Sequence, residues 1–220
     1  GILISALDEV AWTLNLRGSD VHCNPVFVSY LLITDNGSTL YIIENKLSEE
    51  IKGYLAENGV EVKSYPAVEE DLKAFTGKLQ VSTGVNAAIH AAACTNSVVE
   101  VAPSPALLLK AVKNKTEIEG FHHAMERDGV AMVKFLRWLK AAVPTGNETE
   151  ISIDRKLYEF RAEQDSFKGI SFDTIAGYKD HGAIVHYEAT PETDVPLKAE
   201  GMLLLDSGAQ YLDGTTDITR

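Results

Sequence analysis

Strand and helix signals alternate along the first hundred residues, and this alternation constrains the fold more than any other feature. Residues 2–4 have the apolar composition of a short buried strand. The apolar segments 26–34 and 39–43 flank Asn36-Gly37, a dipeptide that readily adopts the positive φ angles of a tight turn. The pattern therefore predicts a β-hairpin here. Strands alternating with helices predict an α/β layer domain.

The rest of this block continues the alternation. Ser48 has the side chain of a helix N-cap, and Glu57-Asn58-Gly59 is typical of a helix end. Residues 60–62 then predict another strand and residues 68–79 another helix.

Two prolines mark the expected domain boundary. Pro103 and Pro105 lack backbone donors and keep the chain extended, which favours a linker. We expect a middle α/β domain over residues 1–104 and a second domain over residues 105–220.

The second domain opens with the longest helical pattern of the chain. Thr116 and Glu119 fit a capping box. After them an apolar stripe at near-helical spacing predicts a long helix up to Val143-Pro144; its members are Ile118, Phe121, Met125, Val133, Leu136 and Leu139.

Beyond this helix the pattern changes. Thr149 is expected to open a second helix, and the chain turns to β character after Ser171. The predicted strands are residues 172–175, 183–187, 201–206 and 210–213.

Charge and composition exclude several classes of protein. The chain has 32 acidic and 20 basic side chains, a net charge of −12, and a nucleic-acid binder would need clustered Lys and Arg. No apolar run approaches the roughly 18 residues that cross a bilayer. Two cysteines do not form a disulfide framework, which favours a reduced, cytoplasmic protein.

Two histidine features fail as metal sites by spacing alone. His122 and His123 are neighbours on a helix, so they point about 100° apart and cannot share one ion. His22 beside Cys23 offers two ligand types without the spacing of a zinc site. Neither pair is predicted to bind metal.

Asp206 and Asp217 are better candidates. Asp206 ends the apolar run 203–205, and turns at Ser207-Gly208 and Asp213-Gly214 separate it from Asp217. A hairpin-like return would bring the two carboxylates together, and a hard dication would relieve their repulsion. Spacing alone equally allows simple turn-forming aspartates.

The motifs of this region resemble a known family. Residues 205–211, Leu-Asp-Ser-Gly-Ala-Gln-Tyr, and 213–220, Asp-Gly-Thr-Thr-Asp-Ile-Thr-Arg, resemble the first metal motif of the pita-bread metallopeptidases, and more narrowly aminopeptidase P, the Xaa-Pro aminopeptidases. Other runs similar to that family, in the same order, are Ser5–Trp12, Leu14–Asp20, Asn24–Phe27, Lys110–Asn114 and Gly182–Tyr187.

The resemblance implies a fold class and a set of roles. The chain would be α/β and then α+β: most of a creatinase-N-terminal-like middle domain, followed by the first half of a pita-bread catalytic domain. Asp206 would chelate one metal ion, and Asp217 would bridge two divalent ions, usually manganese. His186 would approach the scissile amide, although a strand histidine bonded to a neighbour is the other reading.

The same resemblance implies an incomplete site. The family uses two aspartates, a histidine and two glutamates, and the last three lie far beyond the second aspartate. The sequence ends at Arg220, so we expect an internal fragment of a long, three-domain member, inactive by itself. The parent would remove the N-terminal residue from peptides with proline in second position.

Two other readings stay open. One is a non-catalytic pita-bread interaction module, and the other is a prolidase-like or creatinase-like hydrolase. The expected partner is a peptide with N-terminal Xaa-Pro, with neither nucleic acid nor membrane. Long members of the family commonly form homodimers, and the sequence leaves open whether the parent does.

Overall fold

The computed structural model describes all 220 residues, Gly1–Arg220, and its packing separates two compact units. Unit 1 comprises Gly1–Val21 and Pro25–Lys113, and unit 2 comprises His22–Asn24 and Asn114–Arg220.

Unit 1 is built on one six-stranded sheet. Its strands are β1 (Ile2–Ile4), β2 (Ser29–Thr34), β3 (Gly37–Ile42), β4 (Val60–Ser64), β5 (Gly77–Val81) and β6 (Ser97–Val101), in the order β4-β3-β2-β1-β5-β6. Strand β2 pairs antiparallel with β1 and β3, whereas the β3–β4, β1–β5 and β5–β6 pairs are parallel.

Helices cover both faces of this sheet. They are α1 (Leu7–Leu14), α2 (Glu49–Glu57), α3 (Ala67–Ala74), α4 (Ala87–Ala93) and α5 (Pro105–Ala111), with a short 3₁₀ helix over Glu44–Lys46. Along β1, Leu3 and Ile4 belong to two different apolar clusters, because successive strand residues point to opposite faces. Helices α1, α2 and α5 pack on the Ile4 side, and α3 and α4 on the Leu3 side.

The predicted α/β layer and most of its elements are confirmed. The hairpin β2–β3 forms, although Thr34 pairs with Gly37, so that Asp35-Asn36 is the two-residue turn and Gly37 begins β3 with φ 137°. Ser48 caps α2 by accepting from the Ile51 N–H.

One helix of the prediction was wrong in extent. Helix α3 ends at Ala74, and Leu79, which was assigned to it, lies fully buried in β5. Apolar spacing does not separate a helix from the buried strand that follows it when the linking segment is short.

Helix α5 packs with unit 1, whereas the sequence placed residues 105–111 at the start of the second domain. Ser104 caps the helix, and Ala106 is buried in the same cluster as Val10 and Leu14.

Unit 2 begins with a long helix. Helices α6 (Lys115–Ala142) and α7 (Glu150–Ala162) are followed by two three-stranded sheets. The strands are β7 (Phe167–Ile170), β8 (Ile175–Tyr178), β9 (Leu203–Ser207), β10 (Ala209–Tyr211), β11 (Gly214–Thr215) and β12 (Ile218–Thr219), with 3₁₀ helices over Val143–Thr145 and Lys179–Ala183. The sheet orders are β11-β10-β7 and β12-β9-β8.

The long helix α6 is confirmed, but its cap and its buried face differ from the prediction. Asn114, with Glu117, forms the capping box assigned to Thr116 and Glu119. Three members of the predicted stripe are largely exposed, namely Ile118, Met125 and Val133. The buried positions are Gly120, Ala124, Asp128, Ala131, Met132 and Phe135. Small residues and one paired carboxylate form the first part of this face, which apolar size does not reveal. Farther along, Leu136 and Leu139 of the predicted stripe pack against the apolar cluster that contains Phe135.

The strands after Ser171 are shifted from their predicted positions. Strand β8 begins where the first predicted segment ends, and residues 183–187 form no strand at all. Thr149 caps α7 as predicted. Both cysteines are free, and no helix combines the length and apolarity needed to cross a bilayer.

Candidate metal centre

The chain returns on itself between Asp206 and Asp217, as predicted, but Ser207 belongs to β9 and the turn lies one residue before the predicted Asp213-Gly214. Strand β9 pairs antiparallel with β12, and β10 pairs antiparallel with β11. Gln210 faces Thr215 and Tyr211 faces Gly214, so Leu212-Asp213 forms the turn.

The register of this return relates the two aspartates. Asp206 is paired with Thr219, whose hydroxyl donates to Asp206 Oδ1 at 2.8 Å. Asp217 precedes Thr219 by two residues, and such residues of extended chain share a face. The register therefore puts both carboxylates on one side of the ladder, as diagonal neighbours.

The two carboxylates differ in their surroundings. Asp206 is half-buried and keeps Oδ2 free of hydrogen bonds, whereas Asp217 is exposed and has neither a hydrogen bond nor an ion pair. Oxygen ligands without protein donors remain available to a cation.

Gly208 allows the close approach on which the return depends. A Cβ at this position would lie 2.1 Å from the Thr216 carbonyl oxygen and 2.1 Å from Ser171 Oγ. The Thr216 side chain accepts from the Ala209 N–H at 3.0 Å, and its carbonyl accepts from Ser171 Oγ at 2.8 Å. These bonds fix the backbone just before Asp217.

A buried ion pair supports the same segment from behind. Arg161 donates to both oxygens of Asp128, at 2.8 and 3.0 Å, and its third nitrogen donates to the Gly208 carbonyl at 3.3 Å. Tyr211 donates to Asp128 Oδ1 at 3.1 Å. Burial, together with the Asp128 charge, raises the pKa of Tyr211, so its hydroxyl stays protonated as a donor.

Helix α6 holds the turn between the two aspartates. Arg127 bonds the Asp213 carboxylate and lies over the Tyr211 ring at 5.0 Å. A Cβ at Gly120 would lie 2.2 Å from the Asp213 carbonyl oxygen, so only glycine fits there without a backbone shift. The return from Asp206 to Asp217 is therefore held by residues that lie far from it in sequence.

His186 does not lie on a strand. It occupies an exposed turn after the 3₁₀ helix Lys179–Ala183 and adopts φ 55°, in the left-handed region. The strand expected over 183–187 is absent because Val185, 82% exposed, finds no partner strand. The branched residues of this segment favour β structure, but a strand forms only where a partner strand is available.

The next residue, Tyr187, belongs to a cluster that the sequence did not predict. Its hydroxyl donates at 2.8 Å to the buried Glu150, which also accepts from the Tyr178 N–H at 2.7 Å. His181 Nδ1 lies 3.0 Å from both Glu150 oxygens. Burial, and then the Glu150 carboxylate, raise the pKa of Tyr187. The sequence indicated Glu150 only as a residue in the first turn of α7, because its partners lie 28 to 37 positions later in the chain.

An open groove of about 600 Å³ lies elsewhere in unit 2. Trp138, Arg155 and Asp194 are among its lining residues, and none of the three predicted site residues is.

Comparison with known families places the chain. Residues 1–117 match the creatinase/prolidase N-terminal domain, and because this match covers more than half of the sequence, the chain belongs to that family. Residues 119–220 match metallopeptidase family M24. The predicted order, an α/β domain followed by a pita-bread domain, is confirmed.

The similar curated proteins carry a narrower description. A probable Xaa-Pro aminopeptidase P of Pyricularia oryzae is 38% identical over all of this chain and 38% of its own length. Xaa-Pro aminopeptidase 1 of Dictyostelium discoideum is 40% identical, over all of this chain and 36% of its own length. The chain thus spans little more than a third of these relatives, and the expected resemblance to Xaa-Pro aminopeptidases is confirmed.

Solved structures agree. X-prolyl aminopeptidase from Caenorhabditis elegans, described as a cytosolic enzyme with a di-nuclear active site, superposes with a TM-score of 0.92 at 33% identity, over all of this chain and 37% of that one. The Xaa-Pro dipeptidase from Bacillus anthracis has a TM-score of 0.73 at 20% identity, over all of this chain and 59% of that one. The second likeness concerns the fold alone.

Proposed function

We propose that this chain is part of a dinuclear-metal aminopeptidase that removes the N-terminal residue from peptides with proline in second position. The observation that carries the proposal is the register of β9 and β12, in which Asp206 pairs with Thr219, two residues after Asp217. The matches to metallopeptidase family M24 and to Xaa-Pro aminopeptidases support it.

The residues present fit part of a two-metal site. Asp206 Oδ2 and both oxygens of Asp217 are hard ligand atoms that accept no hydrogen bond from the protein, which suits Mn²⁺ or a similar dication. We propose that Asp206 holds one ion, that Asp217 is shared by two, and that the ions are manganese. When bound, such ions lower the pKa of a water molecule and polarise the substrate carbonyl.

Other side chains of this chain orient the ligands. The Thr219 hydroxyl donates to Asp206 Oδ1 and leaves Oδ2 available to a cation. Arg161 and Gly208 hold the backbone between the two aspartates. We propose that His186, exposed in its turn, donates or accepts a proton at the scissile amide.

The proposal extends to the larger protein. Its substrate would be a peptide with N-terminal Xaa-Pro, whose tertiary amide lacks an N–H. We propose a cytoplasmic location, because the similar X-prolyl aminopeptidase from Caenorhabditis elegans is a cytosolic enzyme. Homodimerisation belongs to the proposal as an expectation from the resemblance alone.

The test is cleavage of an Arg-Pro-Pro peptide by a protein that carries these residues together with the distal ligands. Asp206→Asn and Asp217→Asn should each abolish cleavage and lower bound manganese measured by elemental analysis. Asp165→Asn is the matched control, because Asp165 is an exposed aspartate of the same unit. Full activity in both ligand variants would overturn the proposal.

The 220-residue chain by itself should not cleave this peptide and should bind Mn²⁺ weakly, since two carboxylates leave most coordination positions to water. Calorimetric titration with Mn²⁺ checks this. Tight, stoichiometric binding would contradict it.

A prolidase-like activity is the second candidate, because residues 1–117 match the creatinase/prolidase N-terminal domain. Comparing a Xaa-Pro dipeptide with a Xaa-Pro tripeptide separates the two activities. A protein that cleaves neither, while binding no manganese, would instead be a non-catalytic module.

A further inference from the structure

Three side chains of different chemistry converge in unit 2, and none of them is one of the two aspartates of the proposed centre. One ring nitrogen of His22, Sγ of Cys23 and a carboxylate oxygen of Asp173 all lie within 4.8 Å of one another. His22 Nε2 is 2.8 Å from Asp173 Oδ1. Spacing in the sequence argued against a metal site at His22 and Cys23, because the third side chain, Asp173, lies 151 positions from His22.

We propose that His22, Cys23 and Asp173 form a zinc site with three protein ligands and one open position. Imidazole nitrogen, thiolate and carboxylate are the ligand types that Zn²⁺ takes in proteins. A neutral imidazole with a thiolate and a carboxylate carries two negative charges, which balance the dication.

The distances suit a tetrahedral ion after small side-chain movements. Metal–ligand bonds of about 2.0–2.3 Å at a tetrahedral angle separate the donors by about 3.3–3.6 Å. The imidazole and carboxylate, now 2.8 Å apart, must therefore separate slightly, and the thiol must approach by up to about 1.3 Å. The side chains of His22 and Asp173 are 73% and 52% exposed, so packing does not resist this movement.

The backbone that carries the thiol is fixed. The Cys23 carbonyl accepts from Gln210 Nε2 at 3.0 Å, and Gln210 Oε1 accepts from Thr215 Oγ1 at 2.6 Å. Cys23 itself has φ 59°, a left-handed conformation that these contacts hold. A fixed backbone at Cys23 reduces the entropy lost when the ion binds.

The local charges favour a cation. Asp173 and Glu188 both act electrostatically on His22, and no lysine or arginine is hydrogen-bonded to the three ligands. Zinc binding replaces the hydrogen bond between His22 Nε2 and Asp173 Oδ1, whose proton moves through solvent to Nδ1 of the neutral imidazole. The thiol proton is released to solvent, because only the thiolate binds the ion.

The experiment is titration of the 220-residue chain with Co²⁺, a spectroscopic substitute for Zn²⁺, followed by displacement with Zn²⁺. One equivalent should produce a sulfur-to-cobalt charge-transfer band that zinc removes. Cys23→Ser should abolish the band, and His22→Gln and Asp173→Asn should each weaken binding about tenfold or more, since even the loss of an outer partner has effects of that size.

Cys94→Ser is the matched control, because Cys94 also lies near a histidine, with Sγ 3.8 Å from His90 Nδ1. The band should survive in this variant and in Asp206→Asn, which separates the result from the proposed peptidase centre. The proposal is overturned by a missing band, by loss of the band in Cys94→Ser, or by unchanged affinity in His22→Gln and Asp173→Asn.

A second measurement needs no variant. Zinc should protect Cys23 from iodoacetamide while Cys94, which is exposed, reacts. Peptide mass mapping identifies the labelled cysteine, and equal labelling of Cys23 with and without zinc would also overturn the site.

Discussion

The two units bury different kinds of side chain. In unit 1 the sheet faces are apolar, and the one buried charged residue is Glu9, 6% exposed. In unit 2 Asp128, Glu150 and Arg161 are 0–1% exposed and mutually bonded or bonded to tyrosine. The interior of unit 1 is therefore almost entirely apolar. In unit 2, buried charged side chains also orient backbone and polar groups near the candidate centre.

This contrast is measurable because each unit contains one tryptophan, Trp12 in unit 1 and Trp138 in unit 2. In a Trp12→Phe background, fluorescence reports the unfolding of unit 2. In a Trp138→Phe background it reports unit 1.

The largest expected difference concerns ion pairs. Arg161→Met leaves Asp128 buried and unpaired, so unit 2 should lose about 3–5 kcal/mol of unfolding free energy. Lys63→Met removes the Lys63–Asp71 pair of unit 1, whose side chains are 35% and 32% exposed, and should cost about 1 kcal/mol or less. Urea unfolding measures both.

The double variant Asp128→Leu/Arg161→Met is the control for this experiment. It should recover much of the loss, because no unpaired charge remains. Equal effects of Arg161→Met and Lys63→Met would remove the distinction between the two interiors.

Glycine substitutions should have opposite signs in the two units. Gly208→Ala forces a Cβ to 2.1 Å from the Thr216 carbonyl and should destabilise unit 2 by about 1–3 kcal/mol. Gly53→Ala, in helix α2 with nothing within 4 Å, should stabilise unit 1 by about 0.5–1 kcal/mol. Thermal unfolding in the two backgrounds gives the signs, and a neutral Gly208→Ala would show that the return is not tightly packed.

Two tyrosine–carboxylate bonds of equal length test the effect of burial. Tyr187 donates to the fully buried Glu150 and Tyr41 donates to the part-exposed Asp71, both at 2.8 Å. Tyr187→Phe should destabilise by about 1.5–3 kcal/mol, since the acceptor is charged and inaccessible, and Tyr41→Phe by about 0.5–1.5 kcal/mol. A larger effect of Tyr41→Phe, seen in urea unfolding, would contradict the role assigned to burial.

The smallest expected effects are pH-dependent and of opposite sign. Burial raises the pKa of Asp71, but hydrogen bonds from Lys63 and Tyr41 outweigh it and leave the pKa lowered. Its contribution to stability is therefore present above about pH 4, the ordinary aspartate pKa, and is lost as pH falls through the lower, folded-state pKa. Asp71→Asn should destabilise unit 1 at neutral pH.

Asp154 of unit 2 behaves in the opposite way, because burial raises its pKa despite a bond from Thr174. Ionised Asp154 therefore destabilises the folded state above its raised pKa, and this effect is absent below about pH 4. Asp154→Asn should stabilise unit 2 at pH 7 and have no effect at low pH. Melting temperatures across this range test both aspartates, and a destabilising Asp154→Asn would reverse the assignment.

Sequence patterns predicted unit 1 better than unit 2, for a physical reason. Both faces of the unit 1 sheet are covered, so its strands are apolar along their length, and this composition alone predicted β1, β2 and β4. In unit 2, Asn114 and Thr116 each precede a glutamate by three residues, and two overlapping capping boxes cannot be ranked from spacing. The segment 183–187 has branched residues but no partner strand, which no local pattern reveals.

The candidate sites show the same limit. Turn residues predicted the return from Asp206 to Asp217 because the turn and the two aspartates lie within twelve consecutive residues. Asp128, Glu150 and Asp173 were missed, since the partners of each lie between 28 and 151 positions away. Only tertiary folding brings such groups together.

Gly120 has a consequence for protein engineering. The candidate metal segment looks portable, since the twelve residues from Asp206 to Asp217 could be grafted onto another hairpin. Its turn, however, lies against a helix whose backbone has no room for even one methyl group. A graft would need the helix, its glycine and the arginine behind the turn, so the transferable module is a three-part assembly rather than a loop.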